Sequence, residues 1–291
     1  MTPHAADVLE GDARRERLRL LSLSAPATLL VLIILLLPVG WLFFLSFVDK
    51  DGFTTANYMR LVQNEAYFEI FKVTFLSSFL VTVITAVLGY PLAYLLSQLP
   101  RRLAIIGLTV VLLPFWTSLL VRTYAWLVLL QRKGLVNSTL MSLGIIDEPL
   151  SLVYNMPGVV IGMVHIMLPF MVLPLYATMR SIDPMLLRAA ISLGAPRSRA
   201  FFTVFAPLSL PGLIAGSLLV FIYCLGFYIT PQILGGGRIN LVSMKILENA
   251  TIYSDWGAAS ALGVVLLAAT LLLFKAIQML VPVDRLMGKA S

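Results

Sequence analysis

Chemistry-bearing side chains in this 291-residue chain gather in three stretches. In LPFWTSLLVRTYAWLVLLQ, Pro114, Trp116, Arg122, Tyr124 and Trp126 set bulky rings around a cation, and further on Tyr223, Phe227 and Tyr228 follow at spacings of four and one. Ring faces attract cationic solutes, and a charge among apolar residues usually faces a polar cavity unless it can reach the headgroups. Two readings stand for these residues: an interfacial belt with ordinary packing rings, or the lining of a pathway for a small cation. His165, in an apolar run with no metal-spaced Cys, Asp or Glu beside it, reads as a bond between helices rather than a proton relay. The third stretch, DPMLLRAAISLGAPRSRAFFTVFAPLSLPG from Asp183 to Gly212, is apolar yet charged and broken by Pro and Gly. It reads as a helix, a glycine elbow and a second short helix lying at a membrane surface against another protein. Asp183 caps the first helix, Pro184 opens it, and Gly194 ends it in the left-handed conformation.

Several kinds of chemistry are missing. No GxxxxGK[ST] loop occurs, so ATP hydrolysis by that route is excluded, and no HExxH, GxSxG or paired-carboxylate site is present. The single cysteine, Cys224, allows no intramolecular disulfide. The apolar runs contain no Asp or Glu, which argues against proton coupling at membrane depth.

The elements that must carry these residues are membrane helices. Hydrophobic residues make up 59% of the chain, charged residues 12%, and the mean hydropathy is +0.95, far from the composition of ordinary globular chains. Six apolar blocks reach the roughly 20 residues that a spanning helix needs: Ala27 to Val48, Val73 to Leu96, Leu103 to Val121, Gly158 to Met179, Leu208 to Ile229 and Ala258 to Val281. The net charge of +7 comes from bases lying between these blocks, not from a nucleic-acid-binding stripe. Residues 1–24 read as a cytosolic tail and 25–291 as the membrane domain, the first block being an uncleaved anchor. With both termini inside, the inner side collects most Lys and Arg, including Arg14, Arg101, Arg180, Arg188, Arg197, Lys275, Arg285 and Lys289, as the positive-inside rule requires. Between the first two blocks, Tyr58, Tyr67 and Phe68 read as anchors at the outer interface. Gly89 and Pro91 predict a kink that faces protein. Gly212 and Gly216 predict a close helix approach, and Pro231 with Gly235 to Gly237 an outer loop that dips back or meets a partner.

The third stretch also carries a family pattern. Arg188-Ala189-Ala190, three residues, Gly194, nine residues, Val204, one residue, Ala206 and Pro207 resembles the EAA loop of ABC importer membrane subunits. LPFWTSLLVRTYAWLVLLQ and LPFMVLPLY make the chain similar to the spermidine/putrescine permease group. The resemblance implies an all-α integral membrane protein with six transmembrane helices and a cytosolic coupling-helix loop, residues 183–212, between helices 4 and 5.

It also implies a permease subunit of the bacterial inner membrane without its own ATPase site, forming the pathway for a polyamine delivered by a periplasmic solute-binding protein. An amino-acid-like or opine-like solute is the alternative within the class, and a stand-alone channel or carrier is the alternative outside it. The implied partners are ABC ATPase subunits holding ATP and Mg, a second, similar but different permease, and membrane lipid; no cofactor belongs to this chain. Arg188, Ala189, Ala190, Gly194, Val204 and Pro207 would form the ATPase-coupling loop. Arg188 stands where the family has Glu, so the usual electrostatic contact is absent, rearranged, or made by the side-chain stem alone. The outer acids Asp147, Glu148, Glu248 and Asp255 read as solvated loop residues or as cation attractors at the mouth.

Overall fold

A computed structural model describes residues 3–49 and 52–280. Arg285, Lys289 and Asp284, which the charge pattern assigns to the inner side, lie outside the described residues. Thirteen α-helices and one two-stranded hairpin follow in order among the described residues. They are α1 (Pro3–Leu45), β1 (Val48–Asp49), β2 (Gly52–Phe53), α2 (Ala56–Gln63), α3 (Glu65–Gln98), α4 (Arg101–Leu112), α5 (Leu119–Leu129), α6 (Leu135–Ser142), α7 (Met156–Ser181), α8 (Pro184–Ser192), α9 (Arg197–Ala200), α10 (Ala206–Leu225), α11 (Ile229–Gly235), α12 (Val242–Thr251) and α13 (Trp256–Leu280). The chain is an all-α membrane protein.

Among the described residues, five helices are long and apolar enough to cross a membrane: Ala25–Leu45, Glu65–Gln98, Met156–Ser181, Arg197–Leu225 and Trp256–Ala276. The third apolar block is not a straight span. Arg101–Trp116 and Leu119–Leu129 meet at 95°, because a 3₁₀ turn, Leu113–Trp116, ends in extended backbone at Thr117 (ψ 148°) and Ser118 (ψ 136°). The chain therefore turns sideways before reaching Arg122.

Helices α3, α7 and α10 form the centre, and Met163, Met167, Met171, Val172 and Leu175 of α7 are fully enclosed with Val81 of α3 and Val220 of α10. The small residues explain the closeness. A Cβ on Gly212 would lie 2.6 Å from Thr178 Oγ1 and 2.8 Å from the Pro174 carbonyl, and one on Gly216 would lie 2.9 Å from Met171 Sδ. Gly89 of α3 is buried against the Met171 side chain, and α3 continues as helix through Pro91. Helix α1 is the opposite case: the span Ala25–Leu45 has no buried residue and meets the rest mainly through α13 and β1.

The segment between the first two spans holds the hairpin, the short amphipathic helix α2 and the first turns of α3. Tyr58 donates or accepts a 2.7 Å bond with Ser46 Oγ, and Tyr67 is buried against Val242 and Leu262. Tyr67 is thus a packing residue rather than an interfacial anchor, because α12 and α13 cover it; Phe68 is exposed.

Candidate functional site

The α8 end of the bundle follows its local sequence closely at first. Asp183 Oδ1 accepts from the Met185 amide at 2.8 Å, and Pro184 loses no bond at the first helical position. Helix α8 ends with the Gly194 amide donating to the Ile191 carbonyl at 2.9 Å and the Ala195 amide to the Ala190 carbonyl at 3.1 Å. Gly194 takes φ +90°, and no atom lies within 4 Å of where its Cβ would stand. Glycine is therefore required by backbone conformation alone.

The second helix is not a separate short one. Pro196 caps α9, which runs through a π-helical turn, Phe201–Phe205, straight into α10, so Arg197–Leu225 is one span. Only residues 183–196 stand off from the membrane helices. Phe201 and Phe205 bind this join to α3, with Phe201 5.2 Å and Phe205 5.1 Å from the Tyr94 ring, while Tyr90 bonds Ser209 at 2.8 Å. Phe202 is exposed. Nearby, Arg180 donates to the Ser97 and Leu99 carbonyls at 2.8 and 3.4 Å, where a cation suits the free carbonyls of the α3 terminus.

The family-pattern residues fall as follows. Arg188, Ala189 and Gly194 are exposed, Ala190 and Val204 half-buried, and Pro207 is exposed in the first turn of α10. Around them Met185, Leu186, Ile191 and Leu193 are exposed, Leu193 at 89%, while Leu187 alone turns back onto the central cluster. Helix α8 thus touches the central cluster through Leu187, rests against the Phe201–Phe205 turn and α9, and presents apolar surface outward.

A second site forms where α5 and α11 pack beside α7. Trp126 Nε1 donates to His165 Nδ1 at 3.1 Å, and Thr123 shares a 3.1 Å hydroxyl bond with Thr230. His165 is therefore the helix-to-helix bonder that its isolation suggests. Arg122, one turn before Trp126, is half-exposed, yet its Nε is buried with no partner. Tyr223 lies 4.6 Å from Phe170, which also meets Phe115 at 5.1 Å. Trp116, at the bend, is 89% exposed, and Tyr124 is also exposed. Phe227 packs against the central cluster, with its carbonyl accepting from Ser243 at 2.8 Å, and Tyr228 caps α11 and borders a cavity of about 210 Å³ with Gln232, Asn240 and Glu248. The six candidate pathway residues do not form one cluster. The loop after Tyr228 dips back, with Thr230, Pro231 and Leu234 buried in α11 and the Leu234 carbonyl accepting from the Tyr154 amide at 2.7 Å.

A third feature, of which the sequence reading named only the acids, is a polar cavity of about 570 Å³ bordered by Arg60, Lys245, Asn249, Tyr253 and Asp255. Its charges are already paired, Arg60 with Asp255 at 3.2 Å and Lys245 with Glu248 at 3.1 Å. Asp255 and Glu248 are therefore structural ion-pair partners, not free cation attractors.

No protein-family model matches the chain. The spermidine/putrescine transport system permease protein PotB of Escherichia coli K12 is 37% identical over 230 residues, covering 78% of this chain and 83% of the relative. PotB of Haemophilus influenzae is 36% identical over 236 residues, covering 78% and 82%. The inner membrane ABC transporter permease protein YdcU of E. coli is 31% identical over 242 residues, covering 77% and 74%. Among solved structures, a chain of the bacterial alginate ABC transporter in complex with an alginate pentasaccharide-bound periplasmic protein superposes with a TM-score of 0.73 at 20% identity, covering 96% of this chain and 98% of that one. At that identity the likeness speaks for the fold.

Proposed function

Since the chain belongs to the family of spermidine/putrescine permeases of ABC transporters, we propose that it is the membrane subunit through which an ATP-driven importer passes a polyamine. The observation that carries the coupling role is α8, an apolar helix that rests on the bundle through Leu187 and the Phe201–Phe205 turn while Met185, Leu186, Ile191 and Leu193 face outward. In this reading the α8 end is cytosolic, both termini are inside, and the outward residues with Ala189 and Ala190 seat against a separate ATPase subunit. Arg188 replaces the family's acid, so its contact uses the stem or a carboxylate on the ATPase. A periplasmic binding protein delivers the solute at the opposite end, and a second, different permease subunit completes the pathway. ATPase closure then moves α8, and the aromatic join at Phe201 and Phe205 passes the movement to α3 and α10.

The test is the whole importer in liposomes with its loaded binding protein. Spermidine- or putrescine-loaded binding protein is expected to stimulate ATP hydrolysis and uptake. Uptake that proceeds without ATP rejects the importer reading, and ATP-driven uptake of other solutes with none of either polyamine rejects the substrate.

A further inference from the structure

Arg122 is a cation without a counter-charge. Its guanidinium makes no ion pair or hydrogen bond among the described residues, and its Nε is buried without an acceptor. The sequence explains why: no Asp or Glu occurs at 70–146, 149–182 or 184–247, so α4, α5, α7, α10 and α11 have no carboxylate to offer. Trp126 ties this part of α5 to His165, roughly 14 Å along α7 from Met156, so the guanidinium is held beside the packed helices.

A guanidinium whose Nε is shut away against apolar side chains needs an acceptor, above all a carboxylate, which its planar fork matches. Because the residue is half-exposed, its terminal amines reach the surface of this chain, where a neighbouring chain can meet them. Resting on the polyamine-importer reading above, we propose that the second permease subunit supplies a carboxylate to Arg122 at the pathway. A bare Arg122 would repel a polycation. Paired, its charge is cancelled, and the carboxylate that the guanidinium shares offers lone pairs to the passing ammonium groups in place of a bare cation. Arg122 is then a residue that positions its partner's carboxylate and sets selectivity.

The experiment is charge exchange in the complete complex. Arg122→Glu should lower putrescine uptake at least tenfold and weaken copurification of the second permease, and Arg122→Gln should act in the same direction but less. Exchanging one Asp or Glu in a span of the second permease for Arg should restore Arg122→Glu to within about threefold of the wild type. The proposal is overturned if no such exchange restores it, if both Arg122 variants behave as wild type, or if the complex contains two copies of this chain, which have no acid at that level. Ornithine, which is putrescine bearing a carboxylate, separates the other source: ornithine uptake that Arg122→Gln abolishes while copurification is unchanged assigns the carboxylate to the solute and overturns the proposal. Copurification does not depend on cargo, so it decides the pairing even where a wild-type complex that ignores putrescine and spermidine would reject the polyamine reading.

Discussion

Gly194 and Gly212 lie in one continuous stretch of sequence, and each is glycine for a reason that the other lacks. Gly194 has open space around it and a backbone at φ +90°; Gly212 sits inside a helix with a wall of α7 2.6 Å from its missing Cβ. The first is demanded by conformation, the second by packing. The difference separates two kinds of region. The centre of α3, α7 and α10 is built on close approach and carries the stability of the chain. The α8 end is built on backbone direction, has little of its own packing, and leaves apolar side chains to be covered by something else.

Replacement of the packing glycine should have the largest effect. Gly212→Val places methyl groups against Thr178 and the Pro174 carbonyl, backbone that cannot swing aside, and overpacking of this kind costs about 1–3 kcal/mol or more. The expected outcome is a marked loss of folded, membrane-extracted protein, read by size-exclusion yield and thermal melting in detergent. A variant with wild-type yield would show that α7 and α10 separate easily, and the contrast with Gly194 would collapse.

Gly194→Val should do the opposite. A left-handed backbone costs an L-residue about 1–2 kcal/mol, more when β-branched, but no neighbour is struck, so yield and melting should change little while transport falls severalfold. Gly194→Asn, which tolerates that conformation, should keep most transport. If both variants transport as wild type, the elbow does not set the direction of α8. Smaller still is Asp183→Ala, which removes the cap of α8 at about 1 kcal/mol. It should lower coupled ATPase activity modestly and leave the melting of the bundle unchanged.

The same contrast decides what the sequence makes legible. Asp183, Pro184 and Gly194 act through their own backbone, so the cap, the start and the elbow of α8 can be read from residue type alone. The close pair Gly212 and Gly216 is legible as spacing, although the partner helix is not. Where direction depends on distant contacts, reading fails. Apolar residues run unbroken through Thr117 and Ser118, so hydropathy sees a single span where the chain turns by 95°. That turn positions α5 by its bonds to His165 and Thr230, residues far away in sequence. Tyr67 misleads in the same way, because an amphipathic tyrosine suits an interface equally well until α12 and α13 cover it. Pro196 and the π-helical turn misread for the converse reason: a proline before charged residues looks like a new element, yet the helix runs on into the span.

The least costly change should be Trp126→Phe, which keeps the ring contact with His165 but deletes the 3.1 Å bond across α5 and α7. Bonds between membrane helices average about 0.6 kcal/mol, so the melting temperature of the complex should barely move. Position is the more sensitive readout. With Thr123, Trp126 holds α5 after the bend, and Arg122 is one turn away, so loosening it should alter uptake more than it alters stability. His165→Gln, which keeps an acceptor near the indole, should be closer to wild type than Trp126→Phe. Should Trp126→Phe lower stability and leave uptake unchanged, α5 belongs with the packed centre, and the division between packed and positioned regions has to be drawn at α11 instead.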